Sequence, residues 1–411
     1  MLLVGEAVDE GAEANALDDA VHDYAAATAG SRFVCGLGWM GHEGGIPQET
    51  RIAHGHCVDE SAAGSCRFED SGGGVGLAIG SMTVDRGVVA GQTILGLDVG
   101  GTKTALVEGT AEGEILERVE WPTESERAFA EVFPQVVLQI GAMISLAGGR
   151  GRMPVALSVS IGGPLKIGEG FLIDPPHLPG WHGVALKRRL SEAFPSLPVF
   201  VEHDGNAGAL AEFHFGVGKG RSDLRHLIFL TFGTGIGAGF IVNGQVLRGA
   251  TDTAGEVGHW RLAEDGPPGF GKRGSWESFA SGAGLIELAA EMFPVRWNRE
   301  SPIAELVKAM LEGDCEAMEV AEVAGRWMGR GLALLIDALN PQVIVFGSLG
   351  VVLGERILGP ARRVIAEETL PQAAAACELV PAALGRQIGD VAALMAALTD
   401  ESAQRLLRGE I

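Results

Sequence analysis

Residues 227–249 hold the feature that most limits how this chain can fold: glycines at alternate positions between two apolar runs. Those glycines are Gly233, Gly235, Gly237 and Gly239. The second apolar run ends at Asn243-Gly244, a pair typical of tight hairpin turns. The stretch therefore predicts three strands joined by a glycine turn and a tight turn. Such glycines expose backbone N–H groups that can bind a phosphate.

A similar pattern lies earlier in the chain, in residues 93–119. There an apolar run meets Gly100-Gly101-Thr102 and resumes as two further strand-like segments. Both glycine segments lead into a strand, whereas a Rossmann fingerprint and a Walker loop lead into a helix. Two such hairpins indicate an internal duplication, with a phosphate group held between two similar lobes.

Beyond the first hairpin, predicted strands alternate with predicted helices, which indicates α/β lobes. The expected strands are 155–165, 198–204 and 341–350. The expected helices include 125–147, 276–293, 300–312, 317–339 and 388–399.

Composition excludes several classes of function. The 411 residues carry a formal net charge of -22, which argues against a nucleic-acid partner. The chain has no run of 18 apolar residues and its first residues are acidic, so we expect neither a membrane span nor a signal peptide. Five cysteines, an odd number without paired spacing, favour a reducing cytoplasm.

Residues 1–92 differ from the rest, with 14 acidic and 4 basic residues and little apolar periodicity. We expect a disordered extension, or a start of the gene assigned too far upstream with Met82 as the true first residue. A metal site is the alternative for this segment, but no C-x-x-C pair supports it. Its ligands would be His54, His56, Cys57 and Cys66.

Two aspartates stand where phosphate chemistry needs them. Asp204 closes a buried strand and begins a helix, so it is either a helix cap or a general base for a substrate hydroxyl. Asp98 precedes the first glycine turn, where a carboxylate would repel a nucleotide unless a cation lay between them. We therefore expect Asp98 to hold Mg2+ through water, with capping of the turn as the alternative.

Glu256, His259 and Glu277 lie on glycine-rich loops or helix starts. Carboxylate and imidazole groups gathered in this way suit the hydroxyl groups of a sugar. An ordinary polar surface is the alternative interpretation.

The motifs taken together resemble the ROK family (repressor, open reading frame, kinase). The resemblance covers essentially all of 93–400 and rests on eight segments in the family's order. They are DVGGTKT, SIGGPL, DPPHLPGW, EHDGNA, TFGTGIGAGFIVNGQVLRG, TAGEVGHW, ESFASG and NPQVIVFGS. The resemblance implies an α/β, actin-like ATPase (ribonuclease H-like) two-lobed fold with duplicated β-hairpin phosphate loops.

The resemblance also implies a division of the chain and a reaction. The first lobe would cover 93–205 plus the C-terminal helix 388–400, and the second lobe 206–387. ATP would lie between them, and its γ-phosphoryl group would pass to a hexose hydroxyl. That hydroxyl is often O6 of glucose or of an N-acetylated hexosamine.

Site residues follow from the motifs one by one. Asp204 matches the family's catalytic base. Residues matching the nucleotide-binding motifs are Asp98, Gly100, Gly101, Thr102, Lys103, Thr231, Gly233, Thr234, Gly235, Gly347 and Ser348. Residues falling in the sugar-contacting motifs are Gly163, His203, Asn206, Glu256, His259 and Glu277.

Two departures from the family pattern stand out. The family usually has C-x-C-G-x-x-G-C-x-E, whose cysteines bind zinc with the motif histidine, but residues 268–277 contain no cysteine. One imidazole cannot form a structural zinc site, so we predict no zinc, with packing of Phe270 and Trp276 in its place. His203 and His177 stand where the family usually has asparagine, which changes two groups near the sugar.

The resemblance leaves other functions open. A sugar-responsive repressor would need a basic winged helix-turn-helix ahead of residue 93, and the front segment is acidic. A non-catalytic sugar-binding protein on the same fold is a second alternative, and polyphosphate is an alternative donor. The family resemblance also implies a homodimer.

Overall fold

The computed structural model describes residues 91–269 and 271–410, which all belong to one compact unit. The strands of this part of the chain are β1 (Gln92–Val99), β2 (Lys103–Gly109), β3 (Ile115–Pro122), β4 (Met153–Ile161), β5 (Leu165–Lys166), β6 (Phe171–Leu172), β7 (Val199–His203), β8 (Leu227–Phe232), β9 (Ile236–Val242), β10 (Gln245–Val246), β11 (Pro268–Gly269), β12 (Lys272–Arg273), β13 (Val343–Phe346) and β14 (Glu378–Pro381). The expectations for residues 1–90, including Met82 and the candidate ligands His54, His56, Cys57 and Cys66, lie outside the described residues.

The helices of the same part of the chain are α1 (Phe129–Gly149), α2 (Leu186–Ala193), α3 (Asp204–His214), α4 (Trp276–Ala280), α5 (Gly282–Met292), α6 (Ile303–Leu311), α7 (Cys315–Leu339), α8 (Leu349–Leu353), α9 (Glu355–Glu368), α10 (Pro371–Ala376), α11 (Ile388–Leu398) and α12 (Glu401–Leu407).

Two five-stranded sheets have the same topology. The first has the order β3-β2-β1-β4-β7 and the second has the order β10-β9-β8-β13-β14. In each sheet the first three strands form an antiparallel meander. The other two strands run parallel to the middle strand of the sheet, which is β1 in the first sheet and β8 in the second. This repeat confirms the duplication that the glycine turns predicted.

Three hydrophobic clusters stabilise the described part of the chain. One joins the first sheet to α1 and α2, with Ile140 and Trp181 fully buried. A second joins the second sheet to helices α4–α9. The third lies between the sheets and contains α3 and α11. Here α3, which follows the first sheet, packs on β8 and β9, whereas α11, which follows the second sheet, packs on β1 and β4.

The exchange of α3 and α11 fixes where the chemistry can occur. Each helix begins at the carboxyl end of one sheet and packs on the other. The first turns of both helices therefore lie in the cleft between the sheets, beside the glycine turns.

Helix α1 modifies one expectation. Among the described residues it is the one helix long and apolar enough to cross a membrane by length and composition, with 33% of its most apolar window buried. Glu131, Gln135 and Gln139 interrupt its apolar residues, so it contains no uninterrupted run of 18. Its buried side chains, which include Val132, Val136 and Ile140, belong to the core of the first lobe.

The prediction of a single helix over 276–293 is wrong, because the helix is interrupted at Ser281. Ser281 has extended backbone, ends α4 and begins α5, and its Oγ accepts a hydrogen bond from the Gly284 N–H. Gly282 and Gly284, just after the break, supply little helix propensity, and the serine hydroxyl stabilises the new start. The Asn243-Gly244 turn is confirmed: both residues have positive φ, as a tight hairpin turn requires.

Candidate active site

Close backbone contacts bring the two lobes together at the cleft. A Cβ on Gly239 of β9 would lie 2.0 Å from the carbonyl oxygen of Gly205, so only glycine lets the first turn of α3 pack there. A Cβ on Gly389 would lie 3.0 Å from Oδ2 of Asp98, which brings the start of α11 beside the end of β1. The start of α3 thus packs on β9, and the start of α11 lies beside the aspartate that precedes the first glycine turn.

Asp204 is the first residue of α3, and its side chain is 50% exposed. Its Oδ1 accepts the N–H of Gly205 at 2.6 Å and lies 3.2 Å from Nδ1 of His203. Its Oδ2 faces Gly162, where an added Cβ would lie 3.6 Å from this oxygen. The carboxylate is therefore anchored on one oxygen by the helix start and remains accessible at the cleft, as a general base must be.

Asp98 lies at the end of β1, largely buried and opposite Ser160 of β4. Burial, and next the charge of Asp204, raise its pKa to about 7, and Asp390 of α11 adds to the rise. A hydrogen bond from Ser160 and the charge of Lys103 lower the pKa of Asp98 and offset part of this rise. Two further carboxylates near Asp98 concentrate negative charge at this end of the cleft, which is where a cation would be stabilised.

The first glycine turn is closed by hydrogen bonds. The N–H of Gly100 donates to the Lys103 carbonyl at 3.0 Å, and the Thr123 hydroxyl donates to the Gly100 carbonyl at 2.7 Å. The carbonyl oxygen of Thr102 accepts the N–H of Thr123 at 2.9 Å. Lys103 itself lies 3.1 Å from Glu120, so its ammonium group is held on the neighbouring strand.

The second glycine turn is anchored on the start of α5. The carbonyls of Gly233 and Thr234 accept the N–H groups of Gly282 and Ala283, at 2.8 and 3.2 Å. The hydroxyl of Thr231, which precedes the turn, accepts a hydrogen bond from the N–H of Gly237, which follows it, at 2.9 Å.

Gly347 and Ser348 follow β13, next to β8. The N–H of Gly347 donates to the Leu230 carbonyl at 3.0 Å. Ser348 has a φ of 47° and precedes α8. This predicted adenosine segment therefore adjoins the strand that carries the second turn.

The predicted sugar side is built around His203. Its Nδ1 accepts the N–H of Gly205 at 3.2 Å, and its Nε2 lies 3.9 Å from Oε1 of Glu256. A Cβ on Gly163 would lie 2.8 Å from the imidazole Cδ2, so Gly163 gives the ring its room. Nδ1 also faces Oδ1 of Asp204 at 3.2 Å, so the imidazole lies between the carboxylates of Asp204 and Glu256.

Glu277 is buried at the base of this side, only 6% exposed. Its Oε1 has no hydrogen-bond partner among the described residues, and Oε2 lies 3.1 Å from where a Cβ on Gly235 would be. Burial raises the pKa of Glu277 to about 7, and the charge of Glu256 adds to the rise. A buried oxygen without a partner needs a donor, and a sugar hydroxyl can be one.

Three other predicted residues lie differently. Asn206 is 1% exposed and donates from Nδ2 to Glu202 at 3.0 Å, while its Oδ1 has no hydrogen-bond partner among the described residues. The carbonyl of His259 accepts a hydrogen bond from Nζ of Lys272. The carbonyl of His177 would lie 2.8 Å from a Cβ on Gly101, so the loop of His177 packs on the first glycine turn.

The segment without the zinc cysteines is packed by aromatic rings. Trp276 is fully buried and stacks on Trp260, with ring centroids 6.0 Å apart. A Cβ on Gly331 of α7 would lie 2.0 Å from the Trp276 ring, so the indole fills the space above that glycine. Phe270 lies outside the described residues, and the absence of zinc stays a prediction.

The sequence analysis missed two groups at this site. Glu202 lies inside the EHDGNA motif and binds Arg248 of the other lobe, 46 positions away. Asp390 lies in the first turn of α11 and contributes to the charge around Asp98. An acidic residue in the first turn of the predicted helix 388–399 was the available signal for Asp390.

Comparison with known proteins agrees with this architecture. The ROK family profile matches residues 94–400, and the chain belongs to the ROK family. Its fold is the actin-like ATPase fold of that family's sugar kinases, as the sequence predicted.

Individual relatives include both enzymes and regulators. A glucokinase of Halalkalibacterium halodurans is 30% identical, over 72% of this chain and 92% of its own length. The crystal structure of a ROK family glucokinase from Streptomyces griseus, in complex with glucose and AMPPNP, is 28% identical with a TM-score of 0.60, over 73% of this chain and 97% of its own. A xylose repressor of Bacillus spizizenii is 30% identical, over 57% of this chain and 60% of its own length.

Proposed function

We propose that this protein is an ATP-dependent hexose kinase that transfers the γ-phosphoryl group to a sugar hydroxyl, with O6 of glucose or a related hexose or N-acetylhexosamine as the acceptor. The half-exposed carboxylate of Asp204, in the cleft beside the first glycine turn, carries this proposal. The similarity to glucokinases, one of them crystallised with glucose and AMPPNP, supports it.

The two glycine turns and the segment at Gly347 and Ser348 would hold the nucleotide. Asp204 would accept the proton of the sugar hydroxyl as that oxygen attacks the γ-phosphorus and ADP leaves. Gly205 keeps the carboxylate in place through its N–H.

Asp98 fits a role toward Mg2+, held through water. Burial, and then the charges of Asp204 and Asp390, raise the pKa of Asp98, and a nearby cation would favour its ionised carboxylate. Bound Mg2+ would neutralise charge on the phosphate oxygens.

The sugar would lie against His203, Glu256 and Glu277. The imidazole of His203 can donate or accept a hydrogen bond, and the buried Oε1 of Glu277 needs a donor. Together they would bind neighbouring hydroxyl groups of one ring. The proposal includes a cytoplasmic location and a homodimer, which the cysteine content and the family resemblance favour.

The similarity to a xylose repressor favours a second candidate, a sugar-binding regulator without kinase activity. Both candidates bind a sugar and differ in whether phosphate is transferred. The accessible carboxylate of Asp204 favours the kinase, since sugar binding alone does not need a general base.

A coupled ADP-release assay tests the proposal. The full-length protein, ATP and Mg2+ are combined with glucose, mannose, fructose, glucosamine, N-acetylglucosamine or N-acetylmannosamine. We expect turnover with one or a few of these sugars. Measurable sugar binding without ADP release on any of them would favour the regulator.

A further inference from the structure

Glu202 lies two residues before Asp204 and is almost fully buried, yet it accepts four hydrogen bonds. Its Oε1 accepts the backbone N–H of His203 and the Nδ2 of Asn206, each at 3.0 Å. These donors flank Asp204 in the chain. One oxygen of Glu202 therefore holds both sides of the turn that presents the proposed base.

The other oxygen of Glu202 binds an arginine of the second lobe. Arg248 follows β10, and its Nε and Nη2 lie 3.2 and 2.5 Å from Oε2. Two N–H groups on one oxygen fix the direction of the contact as well as its distance. Because Glu202 is buried, losing the positive charge of Arg248 would leave a carboxylate in an unfavourable environment.

The segment that follows Arg248 makes two more contacts with the first lobe. Oδ2 of Asp252 accepts the N–H of Ile167 at 2.9 Å, and Oε1 of Glu256 lies 3.9 Å from Nε2 of His203. Residues 248–256 thus reach the turn of Asp204 at one end and the proposed sugar side at the other.

We propose that Arg248 and Glu202 are a positioning pair that aligns Asp204 with the sugar hydroxyl. The pair joins the turn 203–206 to the segment 248–256, so the base and the sugar-side residue Glu256 keep one relative position. Its catalytic consequence rests on the proposed kinase function. In this account the pair acts through its neighbours and touches neither ATP nor the phosphoryl group.

Kinetics of single and double variants test the catalytic part. Arg248→Met should lower kcat by about 100-fold, the order of effect expected when a reacting group is misplaced. The KM for ATP should stay unchanged, because the glycine turns are intact. Arg248→Lys keeps the charge and should recover part of the loss. Glu202→Gln combined with Arg248→Met should be no worse than the poorer single variant, because both remove the same interaction.

An arginine–glutamate pair with an exposed carboxylate, outside the turn and the segment 248–256, provides the control. Arg221 binds Glu378 with two N–H groups, at 3.2 and 3.0 Å. Arg221→Met should keep wild-type kcat. Wild-type kcat in Arg248→Met would overturn the catalytic role.

Hydrogen exchange of the full chain tests the pairing without any assay of activity. The backbone N–H groups of residues 203–206 should exchange faster in Arg248→Met and Arg248→Lys, and at the wild-type rate in Arg221→Met. Unchanged exchange in both Arg248 variants would overturn the proposal. If the wild-type protein phosphorylates no sugar, the kinase proposal fails by itself, and the exchange rates still decide whether the pair orders the turn.

Discussion

The two glycine hairpins have the same backbone arrangement and different charge. Asp98 and Thr231 occupy equivalent places, each two residues before its turn on the central strand of its sheet. Asp98 is opposite Ala105, and Thr231 is opposite Gly237. The carboxylate is surrounded by other acids, whereas the Thr231 hydroxyl accepts a hydrogen bond from the facing strand.

This difference indicates how a repeated hairpin divides its work. The first hairpin gathers negative charge and would attract a cation. The second offers amides and hydroxyls with no carboxylate in the turn, which suits phosphate oxygens. We therefore expect the same kind of substitution to have different effects in the two hairpins.

Removing the charge at Asp98 should have the larger effect. Asp98→Asn should lower kcat/KM by about 100-fold, the upper range for a group that acts on a metal through a second layer. Thr231→Val removes one neutral hydrogen bond, worth about 1 kcal/mol, and should cost much less. Steady-state kinetics at several Mg2+ concentrations measure both. Equal losses in the two variants would contradict the division of roles.

The second hairpin also has an acid nearby, Glu277, and burial favours its neutral form. Burial raises the pKa of Glu277 to about 7, so folding favours the protonated carboxyl group. The stabilisation is complete below the ordinary pKa and is lost as the pH rises through about 7.

Glu277→Gln should therefore gain stability relative to the wild type as the pH rises from 5 to 8. Between these pH values the free energy of unfolding of the variant should rise relative to that of the wild type by up to about 2 kcal/mol. The reason is that the wild type must ionise a buried group and the variant need not. Urea unfolding at each pH measures it. A constant difference between the two proteins would show that Glu277 titrates normally.

Replacing one glycine in each turn by alanine should have the smallest effect, and it should act on stability. A Cβ on Gly101 would lie 2.8 Å from the His177 carbonyl, whereas a Cβ on Gly233 would meet nothing within 4 Å. Gly101→Ala should destabilise the protein by about 1 kcal/mol or more through overpacking. Gly233→Ala should stay within about 0.5 kcal/mol of the wild type. Thermal unfolding compares them, and equal melting temperatures would contradict the close approach at Gly101.

The sequence predicted the features that depend on local chemistry. The glycine turns and Asn243-Gly244 need unusual backbone, so the hairpins could be predicted. Helix periodicity located α1, α7 and α11 within a few residues. The break at Ser281 was missed because an apolar helical pattern runs across it, and a hydroxyl cap decides the outcome.

Contacts distant in sequence could not be predicted from local pattern. Asn206 was expected in a sugar-contacting motif; the local pattern did not show that its Nδ2 binds Glu202, while its Oδ1 has no partner among the described residues. The pairing of Glu202 with Arg248 depends on how the two lobes meet. The pKa of Asp98 likewise depends on Asp204 and Asp390, which come from two different helices.

One comparison tests the central claim most directly: wild type against Asp204→Asn, with ADP release and sugar binding measured on the same preparations. The account predicts that sugar affinity persists and that turnover falls by about 100-fold or more, the range for losing a general base. Asparagine keeps the shape and the Gly205 contact but cannot take the proton. Turnover equal to the wild type would contradict the assignment of Asp204 and, with it, the mechanism proposed for this cleft.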